Sequence, residues 1–186
     1  MYLREKQSKI IILSGKARTG KDTSGLYFKE YYESKGFKVK LLAYASYIKM
    51  YAKEIIDWDG TDETKPRSFL QELGTEIIRE RIDKLFFVNR IIEDIKVYSF
   101  FFDVIVITDA RVEEEIVNLK RCFKDVVSIN VERPGFVNEL NTNEQKHLTE
   151  VGLDRFEGYD YILVNDSSLD ELRNKVNNIG DEIKWI

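Results

Sequence analysis

Ile10-Ile11-Ile12-Leu13-Ser14-Gly15-Lys16-Ala17-Arg18-Thr19-Gly20-Lys21-Asp22-Thr23 joins a short apolar run to a loop framed by two glycines and closed by a lysine. Gly15 and Gly20 let the backbone wrap inward, so successive amide N–H groups converge on phosphate oxygens while Lys21 sets a point charge between the outer phosphates. A helix starting near Gly20 turns its positive end toward the same anion. Five β-favouring residues precede the loop. An amphipathic segment, 23–35, follows it, with Leu26, Tyr27, Tyr31 and Tyr32 about a turn apart. The pattern describes a cradle for the polyphosphate of a nucleoside triphosphate, with Gly15, Lys16, Ala17, Thr19, Gly20 and Lys21 as its contact residues.

The position after the lysine, usually a Ser or Thr that binds Mg2+, is Asp22, and Thr23 comes next. A carboxylate is also a hard oxygen ligand. The expected Mg2+ is therefore held by Asp22, directly or through water, or by Thr23 if the helix starts one residue later. The alternative for Asp22 is an acid favoured at a helix N-terminus by the macrodipole.

With 186 residues, 43% of them apolar and 12% aromatic, the chain can bury one full core, so a single domain is expected. The 29 basic and 33 acidic side chains leave a net charge of −4, with no polybasic block of the kind a nucleic-acid binder carries. Small anions must instead be attracted locally. One cysteine, Cys122, cannot form an internal disulfide, the polar N-terminus is no signal peptide, and no apolar run reaches membrane-spanning length. These features point to a cytoplasmic protein without membrane or nucleic-acid partners. They leave its oligomeric state open, a homodimer included.

Strand-like runs fall at 9–14, 38–43, 104–108, 126–131 and 161–164, separated by helical patterns. Strands that are nearly continuous in Ile, Val and Leu and alternate with helices imply a parallel sheet covered on both faces, a three-layer α/β/α architecture with ligands at the carboxyl ends of its strands. Residues 47–98 contain no convincing strand and three helical stretches, and read as an inserted helical flap. Pro66 suits the first turn of its second helix, which is expected to turn Phe69, Leu70, Leu73, Ile77 and Ile78 inward. Gly74 interrupts that apolar face, either for close helix packing or to open the backbone to a ligand. The irregular stretch 133–150, with Arg133, Lys146 and His147 near its ends, is expected to be a lid.

Val104-Ile105-Val106-Ile107-Thr108-Asp109-Ala110-Arg111 places an acid and an arginine just beyond a buried strand, beside the phosphate loop. Asp109 there either reaches a metal through water or caps the next helix, and Arg111 is positioned to meet a phosphate. Gln71, Thr75, Glu76 and Arg79 share one helix face at three- and four-residue spacing, a polar stripe that is solvated surface unless something else claims it. Tyr44 and Lys49, after the second strand, carry the same ambiguity. His147 alone suggests no metal site or triad.

Taken in order, these motifs resemble the deoxynucleoside monophosphate kinases, members of the phosphate-loop kinase superfamily. Ser14 to Thr23 is similar to that family's loop, Lys-Asp-Thr included. Tyr44-Ala45-Ser46-Tyr47-Ile48-Lys49 is similar to Phe-Ala-Asp-x-Leu-Lys, with Ser46 in place of the acid. Leu70-Gln71-Glu72-Leu73-Gly74-Thr75-Glu76 with Arg79 resembles Leu-Gln-x-x-Gly-Thr-Glu-x-x-Arg, and Asp109-Ala110-Arg111 with Glu115 resembles Asp-Val-Arg-x-x-x-Glu. Arg133 with His147-Leu148-Thr149-Glu150 is similar to the family's lid, and Asp160 to Asn165 to its last strand. The resemblance implies ATP and Mg2+ as cofactors and transfer of a phosphoryl group to a nucleoside monophosphate. It further implies an acceptor side built from Tyr44, Lys49, Gln71, Gly74, Thr75, Arg79, His147 and Glu150, with Arg79 on the acceptor phosphate. Arg18 or Arg111 would meet the migrating charge, Asp109 the metal and Arg133 the adenine side. A kinase of another small phosphate, such as dephospho-coenzyme A or phosphomevalonate, and a non-catalytic nucleotide-binding regulator are the competing readings.

Overall fold

The computed structural model describes residues 7–135 and 151–185. Five parallel strands run in the order β2-β3-β1-β4-β5: β1 Lys9–Ser14, β2 Val39–Leu42, β3 Val104–Ala110, β4 Val126–Glu132 and β5 Tyr161–Val164. Alternation along each strand divides the core in two. Ile10 and Ile12 of β1, with Ile105 and Ile107 of β3, face one layer, where Phe87, Ile91 and Ile95 of α4 (Phe86–Tyr98) and Ile116 and Leu119 of α5 (Glu113–Cys122) pack. Ile11, Leu13, Val104 and Val106 face the other, against Phe28 and Tyr32 of α1 (Lys21–Ser34) and Leu172 and Val176 of α6 (Leu169–Glu182). The three-layer expectation is thereby met.

Between β2 and β3 the chain forms α2 (Ala45–Ile56), α3 (Arg67–Glu72), a π-helical segment (Leu73–Ile82) and α4. Three expectations are corrected here. The helix expected near Pro66 is there, with Pro66 just ahead of Arg67, but it changes to π geometry at Leu73; Asp83 N–H donates to the Ile78 carbonyl at 2.9 Å, five residues back. β3 continues through Asp109 and Ala110, because Ser14 of β1 pairs with Ala110 after a register shift, so Asp109 lies within the strand rather than past it. β2 is confined to Val39–Leu42, which leaves Ala43 free to turn into α2. Of the expected lid, Arg133, Pro134 and Gly135 are described; Lys146, His147 and Glu150 lie outside the described residues.

Candidate active site

The loop after β1 is tightly held. Gly15 has φ 137°, and a Cβ there would sit 2.3 Å from the Val131 carbonyl oxygen of β4, so only glycine fits between the adjacent strands. Arg18 takes φ 60°, a left-handed conformation uncommon outside glycine, which marks local strain of the kind found in ligand-binding loops. The Lys16 carbonyl points into the loop, accepting from Lys21 Nζ at 2.5 Å and Thr19 Oγ1 at 3.0 Å. Asn165, just past β5, donates from Nδ2 to the Thr19 carbonyl at 2.9 Å. No side chain caps α1, whose first turn carries Lys21 and Asp22. Lys21 is only 7% exposed, so its charge sits inside the loop rather than on the surface.

Besides a recess of about 740 Å³ lined by Gly15, Lys16, Ala17, Thr19, Arg111 and Arg133, two further recesses open from this loop. One, of about 540 Å³, borders Arg18, Gly20, Lys21, Asp22 and Thr23 and continues past Arg133 to Asn165, Ser167 and Ser168. The other, of about 310 Å³, lies over β3 and the inserted helices. Tyr44, Lys49, Gln71, Gly74, Thr75 and Arg79 line it together, and Ala17, Asp22, Asp109 and Arg111 join it to the loop. Lys65 and Arg67 add further cations. The π-helical segment helps form this wall: Thr75 and Arg79 are buried, whereas Glu76 is exposed, so the expected four-residue polar stripe is split. Gly74 answers the packing alternative, since a Cβ there would meet Ile48 Cδ1 of α2 at 2.8 Å. It also borders the cavity, and its carbonyl accepts from Arg79 Nη1 at 3.0 Å. Among the described residues, Thr75 Oγ1 is buried without a hydrogen-bond partner.

The acids are arranged differently from expectation. Asp109 Oδ1 and Oδ2 accept from the amides of Tyr44 and Ala45 at 2.8 and 2.9 Å, so it caps α2 rather than the helix after it. Burial raises its pKa; the two amides and Arg111 pull it back, and Asp22 adds to the rise. Glu115 caps α5, its Oε2 accepting from the amides of Arg111 at 2.7 Å and Val112 at 3.3 Å. Its Oε1 accepts from Arg79 Nη2 at 2.7 Å. The Arg79 guanidinium also lies 4.8 Å from the Phe87 ring centroid. Arg111 Nη1 approaches the Gly15 carbonyl at 3.4 Å, and Arg133 Nη1 the Arg18 carbonyl at 3.5 Å. Ser46 is exposed on the first turn of α2 and is not part of the cavity wall.

Glu115, Lys65, Arg67 and Asn165 were not among the site residues expected from sequence. Glu115 had a signal, standing third in an acidic run three residues after Val112, the spacing of a capping acid. Asn165 ended the last-strand motif without a role, and Lys65 and Arg67 are single polar residues in a loop and at a helix start, where spacing says little. Among the described residues no group of three or more His, Cys, Asp or Glu is placed to hold a metal, and no helix is long and apolar enough to cross a membrane.

A glycine-framed loop between the central strand and its helix, in a β2-β3-β1-β4-β5 parallel sheet, is the architecture of phosphate-loop kinases. Among solved structures, the chain is similar to Mycobacterium tuberculosis APS kinase in complex with AMPPNP and APS (TM-score 0.60, 12% identity, covering 95% of this chain and 99% of that one). It is also similar to shikimate kinase from Bacteroides thetaiotaomicron (TM-score 0.56, 13% identity, covering 95% and 99%). The chain belongs to the deoxynucleotide monophosphate kinase family, whose sequence profile matches residues 42–176. It is 30% identical over 118 residues to the deoxynucleotide monophosphate kinase of Enterobacteria phage T4, covering 63% of this chain and 46% of that protein. To that of Escherichia phage RB69 it is 32% identical over 114 residues, covering 61% and 43%. The match thus spans less than half the length of these relatives. The family profile begins at Leu42, so the phosphate loop stands on its own geometry.

Proposed function

We propose that this protein transfers the γ-phosphoryl group of ATP to the phosphate of a nucleoside monophosphate, with a deoxynucleotide as the acceptor. The observation that carries the reading is the 310 Å³ cavity, which collects Lys49, Lys65, Arg67, Arg79 and Arg111 and meets the phosphate loop at Ala17 and Asp22. Such a cavity suits a small anion whose phosphate must lie in line with the donor. Phosphoryl transfer needs alignment and charge neutralisation rather than covalent chemistry on the enzyme. The loop amides and Lys21 hold the donor phosphates, and Arg133 with the recess toward Asn165 and Ser168 takes the adenosine side. Arg18 or Arg111 meets the migrating charge, and Arg79 the acceptor. Residues 47–98 serve as the acceptor-binding insertion and 133–150 as a lid that keeps water out.

A magnesium ion fits the donor set. Asp22 and Asp109 face one cavity, where the Asp22 charge helps raise the pKa of Asp109, and Mg2+ is commonly held by one or two carboxylates with substrate phosphates and water. Asp109, with both oxygens already accepting amides, would act through water, and Asp22 or Thr23 more directly. The ion would neutralise charge on the phosphates. ATP and nucleoside monophosphates are cytoplasmic metabolites, and that is the compartment we propose.

An ATP-dependent coupled assay over a panel of ribo- and deoxynucleoside monophosphates tests the reading. ADP formation that requires one of them supports it. Turnover of none, with phosphorylation of dephospho-coenzyme A or phosphomevalonate, would overturn the substrate; ATP binding without ADP under any acceptor would favour a regulator.

A further inference from the structure

We infer that Glu115 is a positioning residue for the acceptor side, setting the direction of Arg79 and the backbone of Arg111 through one carboxylate. The inference rests on the nucleotide-kinase reading and gives a task to the last acid of the Asp109-Ala110-Arg111 to Glu115 motif, for which the resemblance implied none.

Glu115 is 1% exposed and Arg79 8%, yet both line the acceptor cavity. A carboxylate so placed is costly to keep charged, and burial pushes its pKa up; the Arg79 charge and the Arg111 amide oppose that rise. Each oxygen has its own task. Oε1 takes Arg79 Nη2 at 2.7 Å, and Oε2 takes the Arg111 amide at 2.7 Å. The main-chain carbonyl of Glu115 also accepts from the buried Tyr44 hydroxyl at 2.9 Å. Residues from the π-helical segment, from the end of β3 and from the start of α2 therefore meet at one position of α5.

Arg79 is constrained from three directions: Glu115 at Nη2, the Gly74 carbonyl at Nη1 and Phe87 beside the guanidinium. A planar guanidinium has five N–H donors in a fixed fork, so fixing two nitrogens sets the direction of those left over. An arginine needed only for charge would not require this. A glutamine at position 115 keeps the volume but has one acceptor oxygen, and its NH2 group must face either Arg79 or the Arg111 amide, both of them donors.

The test is steady-state kinetics of Glu115→Gln with ATP and the acceptor monophosphate varied separately, alongside thermal unfolding. The expected result is an acceptor KM raised about tenfold, the scale of one charge-assisted hydrogen bond, with the ATP KM unchanged within about twofold. In an Arg79→Gln background the same change should add little to the acceptor KM, because the two residues act as a unit. If Glu115→Gln folds poorly, Glu115→Asp replaces it: the charge is kept and the reach shortened, and the same selective rise in acceptor KM is expected. A lowered Tm with unchanged acceptor KM, equal rises in both KM values, or effects that multiply in the double variant would overturn the inference while leaving the kinase reading intact. A wild-type protein that turns over no nucleoside monophosphate would overturn both.

Discussion

Asp109 accepts the backbone N–H of Tyr44 at 2.8 Å with one carboxylate oxygen while its other takes Ala45 at 2.9 Å. A strand beside the phosphate loop thus supplies the cap for α2, the first of the inserted helices, and one carboxylate ties that helix to the loop side of the cavity.

Replacing that carboxylate by an amide should loosen α2. Asp109→Asn retains one acceptor oxygen and turns an NH2 group toward an N–H, so it should cost about 1 kcal/mol of stability, the usual value of a lost cap. Denaturant unfolding measures it. An unchanged midpoint would mean that α2 is held by packing alone.

Lys21→Met keeps most of the buried stem and removes the ammonium. Catalysis should fall by about a thousandfold or more, because a cation aimed at transferring phosphate is lost, while far-UV circular dichroism stays native. A rate within about tenfold of wild type would move the donor phosphates away from this loop.

Gly15→Ala should be poorly tolerated for two reasons, its φ of 137° and the 2.3 Å approach to the Val131 carbonyl. A loss of more than about 2 kcal/mol and of measurable ATP binding is expected. Calorimetric titration with ATP alongside denaturant unfolding reads both effects.

Asp160, just before β5, is a partly buried acid that contributes to the pH dependence of stability. Burial alone would raise its pKa, but Lys120 Nζ at 2.7 Å and the Ser128 amide and hydroxyl at 2.7 and 2.9 Å outweigh this and hold it below the ordinary value. A carboxyl lowered by folding stabilises the protein above the unfolded pKa, about 4, and that contribution is lost as pH falls through the folded value. The Tm gap between wild type and Asp160→Asn should therefore narrow as pH drops below about 4. A constant gap would show that the pair contributes only packing.

The sheet was readable because buried parallel strands are apolar without interruption; 9–14 and 161–164 match β1 and β5 residue for residue. Loop and lysine were readable because glycine spacing is a backbone requirement. Tyr44, Lys49, Gln71, Gly74, Thr75 and Arg79, named from motif order, all line one cavity. What spacing does not encode is long-range hydrogen bonding. Asp109 is 65 positions from the amide of Tyr44, and Glu115 is 36 from Arg79, so neither partner follows from a local pattern. The π-helical segment escaped for a different reason. Its residues have ordinary helical periodicity over a turn, so nothing in their spacing marks the change to π geometry at Leu73.

The fate of the γ-phosphoryl group tests the account most directly. With γ-labelled ATP, magnesium and a deoxynucleoside monophosphate, the label should appear in the corresponding diphosphate, and only when the monophosphate is present. Label that stays in ATP, or passes solely to inorganic phosphate with every monophosphate offered, would contradict the account.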